Sequence, residues 1–190
     1  MPSKQIPAPQ RRILMVCLGN ICRSPLAEGI LRDKARATGL NWEIDSAGTN
    51  GYHTGEAPHP LSIKVARHNG IDISNQRARR FTASDFQRFD KIYAMAGDVI
   101  DEMRRIAGRH FDESKVDLLM NEVHPGSDED IPDPWYGPEP GYHEVYTLID
   151  QAAGQIIAKS TQPVPSTQSM TSSQPKPSTQ SMNPIQPSPK

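Results

Sequence analysis

The sequence predicts an α/β fold, a parallel sheet with helices on both faces, and two observations lead there. Short apolar runs alternate with longer stretches whose apolar residues recur at three- and four-residue steps, as in successive βαβ units. The first run, residues 13–16, passes through a tight turn straight into a helical pattern. In such folds ligands bind beyond the carboxyl ends of the strands, where that turn would sit. A length of 190 residues suits one core of ordinary size.

Taken in order, strands are predicted at residues 13–16, 42–45, 91–95 and 116–119, and helices at 25–38, 61–69, 98–107 and 139–159. Ile13-Leu14-Met15-Val16 is a continuous apolar run. Ser24 is placed to cap the helix that follows, and Pro25 suits its first turn. Thr82-Ala83-Ser84-Asp85 resembles a capping box opening a short helix ahead of the third strand. In the last helix Tyr142, Val145, Tyr146, Ile149, Ala153, Ile156 and Ile157 share one core-facing side.

The chain divides into a loose N-terminus at 1–10, a folded unit at 11–159 and a tail at 160–190. The tail is almost wholly Ser, Thr, Gln, Pro, Met and Lys, and repeats Pro-Ser-Thr-Gln-Ser-Met at 165–170 and 177–182. With no apolar periodicity to bury, its ordering entropy goes uncompensated and disorder is expected. Its partner, if it has one, is not encoded in this composition. A formal net charge of −1 gives no electrostatic footprint for nucleic acid or a membrane surface. The apolar run 13–18 is too short for a secretory core or a span. Two cysteines, one with a catalytic reading, indicate a reducing compartment and a cytoplasmic protein.

The chemistry concentrates in Cys17-Leu18-Gly19-Asn20-Ile21-Cys22-Arg23-Ser24, between the first strand and the first helix. A loop curled round a helix N-terminus turns its N–H groups inward and makes an anion site. Beside such a terminus and an arginine a cysteine is favoured as thiolate, which makes Cys17 a nucleophile. Arg23 offers a planar fork for two phosphoryl oxygens. Ser24 can donate to the sulfur, and Gly19 and Asn20 supply unusual backbone conformations. A cysteine ending a strand is ordinarily a small core hydrophobe. Here Cys17 and Cys22 are the only cysteines, too few for a thiolate zinc site, and no histidine pair follows at ligand spacing. No metal or cofactor is called for.

A nucleophile that expels a phenolate or alkoxide needs an acid. Asp133 is the candidate, on a loop of turn formers and acids ahead of the final helix. Pro134 stiffens the loop, and Trp135 and Tyr136 offer an aromatic wall for a flat ring. Asp128, Glu129 and Asp130 read as solvated loop charges.

These segments resemble the low-molecular-weight protein tyrosine phosphatases. Residues 17–28 match the family's signature loop without a gap, and the likeness returns at Asp45-Ser46-Ala47-Gly48-Thr49, Met95-Ala96-Gly97-Asp98 and Asp133-Pro134-Trp135-Tyr136. It spans roughly residues 11–159. The resemblance implies a four-stranded parallel sheet and metal-free hydrolysis of phosphotyrosine proteins and small aryl phosphates by two displacements. It implies that Leu18, Gly19, Asn20, Ile21, Cys22 and Ser24 line the phosphate site, and that Tyr52, His53, Trp135 and Tyr136 frame its entrance. Asn20, Ser24 and Ser46 would form the hydrogen-bond network holding the loop. Asn69 stands where family members often carry histidine, and its amide is expected to join that network. The resemblance further implies that Cys22 captures oxidised Cys17 as a disulfide. An arsenate reductase of the thioredoxin-coupled type would need two cysteines after Cys22, and none follows. Arginine phosphatases of the family typically carry threonine where Ile21 stands. A non-catalytic phosphate-binding module would be expected to lose Cys17, Arg23 or Asp133.

Overall fold

The computed structural model describes residues 10–162, so the segments expected to be loose, 1–10 and 160–190, fall almost entirely outside the described residues. Four strands, β1 (Arg11–Cys17), β2 (Trp42–Gly48), β3 (Lys91–Ala94) and β4 (Val116–Leu118), form one sheet in the order β2-β1-β3-β4. Every pairing is parallel. Among the described residues five α-helices flank it, besides short 3₁₀ turns: α1 (Arg23–Ala37), α2 (Pro60–His68), α3 (Asp85–Arg88), α4 (Gly97–Ala107) and α5 (Glu139–Thr161). The expected architecture is the observed one.

Strand β1 lies inside the sheet, and Ile13, Leu14, Met15 and Val16 are fully buried. Because strand side chains alternate, this apolar run serves two cores at once. Ile13, Met15 and Cys17 pack with Leu26 and Ile30 of α1 and with Val145, Ile149 and Ala153 of α5. Leu14 and Val16 pack on the other face with Val99 and Met103 of α4 and with Phe81, Phe86 and Phe89. Burying each of these β1 side chains contributes about 1.5–3 kcal/mol. Helix α5, as its periodicity predicts, buries Tyr142, Val145, Ile149, Ala153, Ile156 and Ile157.

Several boundaries move from the sequence expectation. Strand β2 continues past Asp45, because Ser46, Ala47 and Gly48 pair with Met15, Val16 and Cys17. No apolar run announces that extension. Helix α1 begins at Arg23 and no side chain caps it, so Ser24 does not serve as its cap. Its first-turn N–H groups therefore remain the donor set that a helix N-terminus presents to an anion. The helix stops at Gly39, whose φ of 72° lets Leu40 N–H return to the Ala35 carbonyl at 2.9 Å. At α3 one half of the capping box forms: the Asp85 carboxylate accepts from Thr82 N–H at 2.9 Å. No helix among the described residues is long and apolar enough to cross a membrane.

Candidate active site

The register that pairs Cys17 with Gly48 brings the sulfur to the carboxyl end of β1. There the chain turns through residues 18–22 into α1. Asn20 makes the turn with φ 58°, a left-handed conformation that asparagine tolerates better than other residues with a Cβ. Gly19, expected to share that role, does not adopt positive φ. A Cβ there would lie 3.2 Å from His53 Cδ2, a tight contact that the His53 ring would have to relieve by a small shift.

The left-handed turn aims Asn20 N–H at Cys17 Sγ, 3.2 Å away. Ser24 Oγ lies 3.0 Å from the same sulfur. Cys17 is buried, with 2% of its surface exposed, so an anionic sulfur here depends on those donors and on Arg23. Asn20 is itself held on three sides. Its Oδ1 accepts from Arg79 N–H at 2.8 Å, and its Nδ2 donates to Ser24 Oγ at 2.9 Å and to Ser46 Oγ at 2.8 Å. Ser46 in turn donates to the buried Glu28 carboxylate at 2.5 Å. Asn69 is absent from this network. It ends α2, and its amide donates to the Val65 carbonyl at 2.9 Å, because the helix C-terminus needs that donor and the loop is already satisfied by Arg79 and Ser46.

Arg23 follows from the first turn of α1 with only 7% of its side chain exposed. Nη1 donates to the Ile131 carbonyl at 3.0 Å and Nη2 to Asp133 Oδ2 at 2.5 Å. Its Nε is buried without a protein acceptor, a donor suited to a phosphoryl oxygen. Asp133 also accepts Trp135 N–H on Oδ1 at 3.1 Å, an Asx turn that fixes the acid and the aromatic wall together.

These groups line one cleft of about 260 Å³, whose walls include Cys17, Leu18, Gly19, Ile21, Cys22, Arg23, Tyr52, His53, Asp133, Trp135 and Tyr136. Its rim is aromatic and open to solvent: Tyr52 and Tyr136 are exposed, and Trp135 is held between His53 and His59 with ring centroids 5.3 Å from each. His59 stacks on Tyr142 at 5.2 Å. Burial keeps the His59 imidazole below its ordinary range. Cys22 is buried 3.8 Å from the Tyr142 hydroxyl. Burial pushes its thiol up to about 12, so it rests as a thiol at neutral pH. Asp130, expected as a solvated charge, accepts Gly97 N–H at 2.8 Å and ties the acid loop to the start of α4.

Sequence reasoning gave no site role to Glu28, Arg79 or His59, and read Tyr142 only as a core-facing residue of the last helix, where it is indeed buried. Glu28 lies four residues after Ser24 and so on the same helix face, a signal that was present. For Arg79 it is the backbone that acts, and no residue pattern marks that. Among the described residues, no group of three His, Cys, Asp or Glu side chains is placed to hold a metal ion.

Residues 12–165 match the model of the low molecular weight phosphotyrosine protein phosphatase family. The chain is 39% identical over 148 residues to the low molecular weight protein-tyrosine-phosphatase YfkJ of Bacillus subtilis, covering 77% of this chain and 93% of that one. It is 36% identical over 157 residues to the low molecular weight protein-tyrosine-phosphatase of Streptomyces coelicolor, covering 80% and 95%. The crystal structure of Bacillus subtilis YfkJ superposes with a TM-score of 0.73 at 38% identity, over 80% of this chain and 97% of that one. A thiol at the end of the inner strand, ringed by donors and faced by an arginine–aspartate pair, is thus joined to a match along nearly the whole described chain, and the protein belongs to the low molecular weight phosphotyrosine protein phosphatase family.

Proposed function

We propose that this protein tyrosine phosphatase works with Cys17 as nucleophile, Arg23 as phosphate clamp and Asp133 as general acid and base. The observation that carries the assignment is the donation of Asn20 N–H to Cys17 Sγ at 3.2 Å with the Ser24 hydroxyl 3.0 Å from the same sulfur and able to donate to it, beside a buried guanidinium. Both donors favour the sulfur's charged form, and they stabilise it again as a leaving group.

A phosphoryl group seated in the loop competes with Asp133 for the Arg23 guanidinium. The carboxylate, released from the guanidinium, takes up a proton from solvent and becomes the acid for the ester oxygen. Sulfur attacks phosphorus in line, the P–O bond breaks, and Asp133 gives its proton to the departing oxygen. The loop N–H groups and Arg23 hold the equatorial oxygens throughout. In the second displacement Asp133 takes a proton from water, the oxygen bonds to phosphorus, and Cys17 leaves as thiolate.

The aromatic rim formed by Tyr52, Trp135 and Tyr136 supports a flat phosphotyrosine ring in the entrance. The apolar Ile21 in the cleft wall favours that ring over a guanidino phosphate. The substrate class is a phosphotyrosine protein, with small aryl phosphates as simple surrogates, and the setting is a reducing cytoplasm. The test is hydrolysis of an aryl phosphate in the presence of a chelator. Wild type is expected to turn over, and Cys17→Ser to lose turnover while still binding vanadate. Residual turnover by Cys17→Ser at the wild-type rate would refute the assignment, and faster release from phosphoarginine than from phosphotyrosine would refute the substrate.

A further inference from the structure

The loop network ends in a buried carboxylate that the mechanism above does not use. Glu28 is only 5% exposed, and a carboxylate so placed is tolerated only when paired and hydrogen-bonded. Both conditions hold. Oε1 pairs with Arg32 one turn along α1, and Oε2 accepts the Ser46 hydroxyl at 2.5 Å. Arg32 also donates to the Ile44 carbonyl of β2 at 2.9 Å, so the pair bridges helix and strand.

The directions of the hydrogen bonds around Asn20 follow by elimination. Arg79 N–H must donate, so Asn20 Oδ1 accepts, and its Nδ2 hydrogens go to Ser24 and Ser46. Each serine, having accepted, has one hydrogen left to give. Ser46 gives its hydrogen to Glu28, and Ser24 has two acceptors for its own, the Ala47 carbonyl at 3.4 Å and the nearer Cys17 Sγ at 3.0 Å, which takes it when the sulfur is anionic. Without that acceptor the Ser46 hydroxyl loses its fixed rotamer, and with it the fixed lone-pair direction that receives the Asn20 amide. Asn20 supplies or orients both donors on the sulfur, through its own N–H and through Ser24.

We propose that Glu28, its charge held by Arg32, is a positioning residue for the catalytic thiolate: it orients Ser46, which fixes Asn20, which fixes the two hydrogen bonds on Cys17. The proposal rests on the reading of Cys17 as nucleophile. On balance burial raises the ionisation range of Glu28, with Ser46 and Arg32 opposing it, so its charge depends on keeping these two partners.

The experiment measures the rate at which iodoacetamide labels Cys17, located by mass spectrometry, from acid to alkaline pH. Glu28→Ala is expected to slow labelling near about pH 6 by about tenfold and to leave the alkaline rate unchanged; this relayed effect is smaller than the ~10²–10³ of removing a direct donor. Ser46→Ala should show the same profile, and carries the test if Glu28→Ala does not fold. Glu28→Gln keeps a carbonyl acceptor for Ser46 and should restore most of the acid-side rate. A Glu28→Ala profile that overlays wild type, with only the melting temperature lowered, would make the residue merely structural. A Glu28→Gln as slow as Glu28→Ala would equally overturn the proposal. Wild type labelled only at alkaline pH would refute the nucleophile reading and this proposal with it.

Discussion

Asn20 carries two separable loads, a left-handed backbone and a three-point side-chain anchor, and replacing it with glycine or alanine separates them. Both variants lose the bonds to Arg79 N–H, Ser24 and Ser46. Asn20 is 2% exposed, and its loss leaves the part-buried Arg79 N–H without its acceptor, which costs about 1–3 kcal/mol. Only alanine must also hold a Cβ at φ 58°, a further penalty of about 1–2 kcal/mol. Glycine adopts that conformation freely. Urea unfolding should therefore place Asn20→Gly about 1–3 kcal/mol and Asn20→Ala about 2–5 kcal/mol below wild type. A gap of about 1–2 kcal/mol corresponds to roughly 2–8 °C in melting temperature for a chain of this size. Turnover of an aryl phosphate should fall in both, because Ser24 loses the amide that orients it. Equal stability of the two variants would show that the left-handed turn is not what asparagine is needed for.

Three further outcomes are expected. Asp133→Ala should slow aryl phosphates with poor leaving groups by about 10²–10⁴-fold and activated ones much less, whereas equal losses across leaving groups would remove Asp133 from acid catalysis. Peroxide should inactivate wild type reversibly through a Cys17–Cys22 disulfide, with Cys22→Ser recovering less on reduction; equal recovery, with no such bond in the mass spectrum, would leave Cys22 a packing residue. His59 Nδ1 accepts Leu61 N–H at the start of α2, and burial lowers its folded ionisation range. The unfolded chain therefore takes the proton first as pH falls: His59 costs no stability above about 6.5 and progressively lowers it as pH drops toward the folded value. His59→Asn keeps a cap acceptor without a titrating group, so its melting temperature should fall less than that of wild type between about pH 7 and 5. Parallel slopes would contradict this.

Strand β1 and helix α5 were legible because each buries one periodic set of side chains over many residues. The second half of β2 was not, since Ser46, Ala47 and Gly48 carry no strand signal and are drawn into the sheet by pairing with β1. Asn69 was misassigned for a related reason. Its place in the chain fits the family's loop support, yet in space it ends α2 and bonds within that helix. Ser24 has the residue type of a cap and sits at a helix start, but the sulfur 3.0 Å away and the Asn20 amide take up its hydroxyl.

By itself the sequence determined the reacting groups and the layered fold, because both depend on residue type at short spacing: apolar runs and stripes for the sheet and helices, and a thiol, an arginine and a serine within eight positions for the loop. The tertiary structure decided how those groups are held. Asp133 reaches Arg23 across 110 positions, Ser46 reaches Asn20 across 26, and Arg79 reaches Asn20 across 59. Such bonds exist only once the parallel register has aligned the ends of β1 and β2, so no local pattern can encode them. Glu28 shows the same division: its identity and helix face are readable in the sequence, but its burial and its hold on Ser46 arise from packing α1 against β2.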